Sequence, residues 1–244
     1  MMSTFVLVHG AWHGRWAWEK VVPLLEEAGH KVEAPDLRGH GDDKTPVPEV
    51  SLQSYADRVS EVLDGQSEPV ILVGHSMGGI VISEVAERHP EKVRLLVYLA
   101  AFLLPNGKTL LETAQTDDET LVLQNVEVDE DKGIVTIRED AAREVFYGDC
   151  SEEDVERAKE RLQPQALAPF ATPVGVGEEN FGRVKRTYIE CLQDRAIGPA
   201  TQKRMYTELP CEKVISMETS HSPFLSVPEK LVSHLVSLAA VADQ

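Results

Sequence analysis

A short motif and its flanks restrict this chain more than anything else in it. Residues 74–78 read Gly-His-Ser-Met-Gly, with Gly79 beyond. A continuous apolar run over 69–73 leads directly into the motif, and a helical stretch over 77–89, closed by Pro90, leads directly out of it. Strand, sharp turn and helix in that order form a nucleophile elbow, in which Ser76 sits in a strained bend with its hydroxyl above the sheet edge. Side chains at the flanking positions would strike the adjoining strand and helix, which is why glycines stand there. The helix that begins at Met77 also turns its positive end toward any anion formed at the serine.

The surroundings of the motif repeat its pattern. Candidate strands at 5–8, 30–34, 69–73, 93–99, 184–192 and 213–217 alternate with candidate helices at 18–28, 52–64, 77–89, 199–207 and from Pro228 onward. Gly29 and Gly65 are stop signals, Ser51 is an N-cap, and Pro228 suits a first helical turn. Such alternation predicts an α/β fold, a mostly parallel central sheet flanked by helices. The pattern breaks after 104–107. A helix at 109–115 is followed by Val126, Val128, Ile134 and Ile137, which alternate around 129–133 as a hairpin would. Residues 151–154 open a further helix, and Pro164, Pro169 and Pro173 punctuate an irregular return. Residues 105–180 carry 19 of the 41 Asp and Glu but only 7 of the 24 Lys and Arg. This stretch reads as an inserted cap or lid, and 1–104 with 181–244 as the core domain.

Composition removes several classes of function. A net charge of −17 argues against nucleic-acid binding and against anionic membrane surfaces. Apolar residues at 42% suffice for a substantial core, and no apolar run reaches the roughly 18 residues of a membrane span. The start reads as a first strand and not as a signal peptide. Cys150, Cys191 and Cys211 are odd in number and lack metal-ligand spacing, so they are expected as idle thiols in the reducing cytoplasm. His9 and His13 lie on a strand end and a turn, not on one helix face, and are not read as a metal pair. No metal or other cofactor is expected, and assembly as a homodimer stays open.

A serine hydroxyl needs a positioned base. In triads built on such an elbow, serine, acid and histidine follow one another along the chain, which leaves His89, His221 and His234. His89 ends the helix far from Ser76, and His234 lies on the polar side of the last helix. His221 falls in the loop after strand 213–217, on the side where strands end. The acid belongs beyond the preceding strand, where Asp194 follows 184–192; it would fix the imidazole tautomer and stabilise the imidazolium. Glu190 lies inside that strand, and Asp36 precedes the serine. Two backbone N–H groups should face the developing oxyanion, one from Met77 and one from the early loop His9-Gly10-Ala11-Trp12-His13-Gly14, with Ala11 the expected donor.

At these residues the chain resembles the α/β-hydrolase group that contains plant methyl-ester esterases, including those acting on salicylate and jasmonate esters, and the related hydroxynitrile lyases. The likeness is carried by 5–16 (FVLVHGAWHGRW), 29–37 (GHKVEAPDL), 70–79 (VILVGHSMGG) and 181–197 (FGRVKRTYIECLQDRAI), and is weak over the insertion. It implies a Ser76–Asp194–His221 triad with Ala11 and Met77 as oxyanion donors. Lyases of this group carry threonine where Gly10 stands and lysine directly after the catalytic histidine, where this chain has Ser222. Without a cation for the departing cyanide, cyanohydrin cleavage loses its main electrostatic help, and esterase chemistry is favoured. The expected partner is a small, largely apolar ester, with Trp12, Phe102 and Leu103 on the pocket wall. The competing readings are a hydroxynitrile lyase-like activity and a non-catalytic small-ligand receptor on the same fold.

Overall fold

The computed structural model describes residues 2–242. Nine strands occur among them: β1 (Thr4–Val8), β2 (Lys31–Glu33), β3 (Val70–His75), β4 (Val93–Leu99), β5 (Val126–Asp129), β6 (Ile134–Ile137), β7 (Gln165–Ala166), β8 (Arg186–Cys191) and β9 (Lys213–Met217). Six of them form one parallel sheet in the order β2-β1-β3-β4-β8-β9. All six residues of β3, at the middle of this sheet, are buried, as an unbroken apolar run demands when both faces are covered.

Helices α1 (Val21–Glu27), α2 (Leu52–Asp64), α3 (Gly78–Arg88), α8 (Pro199–Glu208) and α10 (Pro228–Ala242) cover the sheet. The right-handed rule for parallel crossovers puts α1 on one face and α2, α3 and α8 on the other. Contacts agree: α1 packs on α10, and α2 on α3. Sequence signals at helix ends act as expected. Ser51 and Ser54 form a reciprocal capping box that opens α2, and Gly29 takes φ +87° after α1. The expected helix over 18–28 is shorter, because Arg15–Trp18 forms its own 3₁₀ turn before α1 begins. The strand expected over 184–192 starts at Arg186, since Phe181–Arg183 is wound into another 3₁₀ turn.

Strands β4 and β8 are neighbours in the sheet, yet the chain between them is long. It holds α4 (Leu110–Gln115), the hairpin β5–β6 in antiparallel register, α5 (Ala142–Phe146), α6 (Glu152–Lys159), β7 and α7 (Ala168–Ala171). Strands β5, β6 and β7 make a second, antiparallel sheet. One more short helix, α9 (Pro223–Ser226), lies between β9 and α10. No described helix is long and apolar enough to cross a membrane.

Candidate active site

Five strands of the parallel sheet bring candidate site residues to their carboxyl ends: β1 leads to His9–His13, β3 to Ser76, β4 to Phe102, β8 to Asp194 and β9 to His221. Parallel strands gather their ends on one edge, so residues far apart in the chain meet there.

Ser76 has φ +54°, a left-handed conformation that a non-glycine residue holds only where its surroundings impose it. The backbone around it is tied on three sides. Ser76 N donates to Leu99 O (3.3 Å), and Ser76 O accepts from Gly79 N (3.0 Å) and Phe102 N (3.1 Å). The glycines are sterically required: a Cβ on Gly74 would lie 2.6 Å from Gly78 O, and one on Gly78 2.7 Å from Val8 O. The elbow therefore interlocks with its own helix and with the end of β1.

Asp194 and His221 are both almost fully buried, and His221 Nδ1 stands 2.7 Å from Asp194 Oδ2. The carboxylate is completed by other donors. Ala196 N and Ile197 N donate to Oδ1 (2.7 and 3.0 Å), and Gln202 Nε2 donates to Oδ2 (3.1 Å). Every other neighbour of this carboxyl is an N–H donor, so the side chain meets His221 as an acceptor. Nδ1 of His221 then carries the proton, which leaves Nε2 as the basic nitrogen. His75, beside the serine, donates from Nε2 to His221 O at 2.9 Å, and the two imidazole centroids are 4.5 Å apart. The histidine loop is thus fastened to the elbow itself.

Ala11 and Met77 are buried and line the same pocket as Ser76. Neither of their backbone N–H groups donates to a backbone carbonyl among the described residues. Trp12 and Phe102 share this pocket, and Leu110, Val122, Phe146 and Phe170 face it from the insertion. No charged side chain lines it, and Ser76 carries its one hydroxyl. Leu103 is a correction: it is fully buried and borders a separate cleft with Leu104, Pro105 and Met205. Phe102, the residue before it, is the one that lines the pocket with Ser76.

Residues passed over for catalysis have structural partners. Glu190 accepts from Tyr206 and Ser216, and Asp36 accepts from Arg15 N and Asp42 N. No metal-binding group of His, Cys, Asp and Glu occurs among the described residues. Four histidines near the site are buried bases. Burial first, then neighbouring histidines, hold His9 and His75 well below the ordinary histidine range. Burial lowers His13 to about 4 and also pulls His40 down. Gln202 and His75 were missed in sequence. The available signal was a polar side chain on an otherwise inward face of α8, beside Thr201 and Met205.

Comparison with known proteins agrees with the fold. The model of the alpha/beta hydrolase family matches residues 5–234. A pyrethroid hydrolase from Sphingobium wenxiniae is 36% identical over 98% of this chain and 88% of its own length. Salicylic acid-binding protein 2 from Nicotiana tabacum is 34% identical over 96% of each chain. The crystal structure of polyneuridine aldehyde esterase superposes with a TM-score of 0.88 at 29% identity, covering 98% of this chain and 100% of the other.

Proposed function

The chain belongs to the alpha/beta hydrolase family, in its esterase branch, and from that premise we propose that it hydrolyses small, largely apolar carboxylic esters through an acyl-enzyme. Ser76 Oγ attacks the ester carbonyl while His221 Nε2 takes its proton. Asp194 holds the imidazole in the required tautomer and stabilises the imidazolium. The backbone N–H groups of Ala11 and Met77 donate to the oxyanion; loss of one such donor costs about 3 kcal/mol of transition-state stabilisation. His221 next protonates the leaving alcohol, and water, activated by the same imidazole, releases the acid and restores Ser76.

One observation carries this reading: a strained serine and a buried, carboxylate-held imidazole share one sheet edge, fastened together through His75. The pocket wall supports the substrate class, since its apolar side chains offer a charged ester no partner for its charge. Residues 105–180 serve in this reading as the cap over that pocket. The three free thiols support a reducing, cytoplasmic setting. A panel of p-nitrophenyl and methyl esters, varied in acyl and alcohol size, tests the proposal on wild type and Ser76→Ala. Wild type should turn over neutral esters and Ser76→Ala should lose several orders of magnitude in kcat. Equal turnover by the two proteins contradicts it.

A further inference from the structure

The turn that carries Ala11 is held by the insertion. Trp12 Nε1 donates to Val135 O at 3.0 Å, Gln163 N donates to Trp12 O at 2.9 Å, and the Tyr147 hydroxyl lies 2.7 Å from His13 Nε2. The other nitrogen of that ring, His13 Nδ1, stands 2.7 Å from Ala11 O. A carbonyl can only accept, so Nδ1 carries the proton, Nε2 is the acceptor, and Tyr147 is the donor. Tyr147, His13, Trp12 and Ala11 are all buried. Trp12 takes φ +63°, a conformation costly for a bulky side chain and held here by bonds on both its carbonyl and its indole.

The segments that follow β1 and β2 hold the same turn as well. Leu37 N donates to His9 Nε2 at 3.0 Å, which leaves Nδ1 as the donor to Gly10 O at 2.8 Å. The peptide that ends in Gly10 O also carries the Ala11 N–H. Its orientation is therefore set on one side by His9. On the other it depends on the next carbonyl, Ala11 O, at the end of the chain Tyr147–His13–Ala11.

We infer that Tyr147, acting through His13, is a positioning residue that aligns the Ala11 N–H, so that the insertion clamps the oxyanion hole as well as walling the pocket. This rests on the reading of Ala11 as an oxyanion donor. Donors act on the transition state only where they are aimed, and a misplacement of about 1 Å can cost about 10²-fold.

Tyr147→Phe removes the donor and keeps the ring. It should lower kcat about 10- to 100-fold with KM changed less than about twofold. A trifluoromethyl ketone gives a sharper readout. Ser76 Oγ adds to its carbonyl carbon, the serine proton passes to His221, and the oxygen becomes an oxyanion; its affinity should fall by the same factor as kcat. The matched methyl ketone, which forms little anion, should bind as before. His13→Asn, whose amide can still donate to Ala11 O but cannot reach Tyr147, should reproduce the loss, and the double variant should lose no more than either alone. Tyr206→Phe, which cuts a tyrosine hydroxyl from Glu190 elsewhere, should leave kcat and inhibitor affinity unchanged. Should Tyr147→Phe fail to fold, His13→Asn carries the same test. Unchanged kcat and trifluoromethyl ketone affinity, with Ser76→Ala inactive, would overturn the clamp and leave the hydrolase reading standing. Activity retained in Ser76→Ala would remove the oxyanion reading beneath it.

Discussion

At the scale of single residues, the site turns on which nitrogen of His221 carries a proton. Asp194 settles this with acceptor oxygens only, so Asp194→Asn is a sharp test. Its amide nitrogen would face two donors, His221 Nδ1 and Gln202 Nε2, and would drive the imidazole into the opposite tautomer. The proton on Nε2 then blocks its role as base, and kcat should fall by roughly 10⁴-fold while the circular dichroism spectrum stays native. A native-like kcat would remove Asp194 from its role. Gly10→Thr is a second test. Its Cβ would come within 2.8 Å of Ser76 Cβ and 3.1 Å of His75 Nδ1, so the elbow must shift. Steady-state kinetics should show kcat/KM lower by about 10²-fold. The meeting of Ser76, Asp194 and His221 at one sheet edge was legible in the sequence because chain order and strand ends restrict where each can stand. Gln202, His75 and Tyr147 were not. His75 and Tyr147 bond to segments 146 and 134 residues away, and Gln202, on an inward face of α8, is marked as buried by its position while nothing local names Asp194 as its partner.

At the scale of elements, β3, the elbow and α3 act as one interlocked unit against the end of β1. Gly78→Ala puts a methyl carbon 2.7 Å from Val8 O and 3.0 Å from His9 O, backbone atoms that cannot swing aside. Overpacking of this kind costs about 1–3 kcal/mol, and here it also displaces the serine, so urea midpoint and kcat should fall together. Ser51→Ala separates the two effects. It removes the side-chain acceptor that opens α2, an element that carries none of the proposed catalytic groups, and should cost about 1 kcal/mol with kcat unchanged. The long elements were readable because hydrophobic period and end signals agreed over many residues, as in α2 and in the unbroken apolar β3. The helices α5 and α9 and the two-residue β7 escaped because each is five residues or shorter. Segments so short show less than two turns of periodicity, and tertiary contacts alone decide their form.

At the scale of the whole molecule, buried bases and uneven charge set the response to pH and salt. His9, His13, His40 and His75 have folded-state pKa values below the ordinary 6.5, with burial as the main cause. The unfolded chain therefore binds protons that the native chain refuses. The stability contributed by these neutral rings is complete above pH 6.5 and is lost as pH falls, for His13 down to about 4. Thermal unfolding midpoints should drop through this window, and a flat profile from pH 6.5 to 4 would contradict the assignment. The acidic excess of 105–180 gives a salt-dependent selectivity: a neutral ester should exceed its anionic counterpart in kcat/KM at low ionic strength, with the gap narrowing as salt screens it. The central claim, that hydrolysis passes through an ester on Ser76, is tested most directly by rapid mixing with p-nitrophenyl butyrate followed by acid quench and peptide mass analysis. A burst of about one nitrophenol per chain should accompany a butyryl adduct on the peptide containing Ser76. Turnover with no adduct, or an adduct on another residue, would contradict the account.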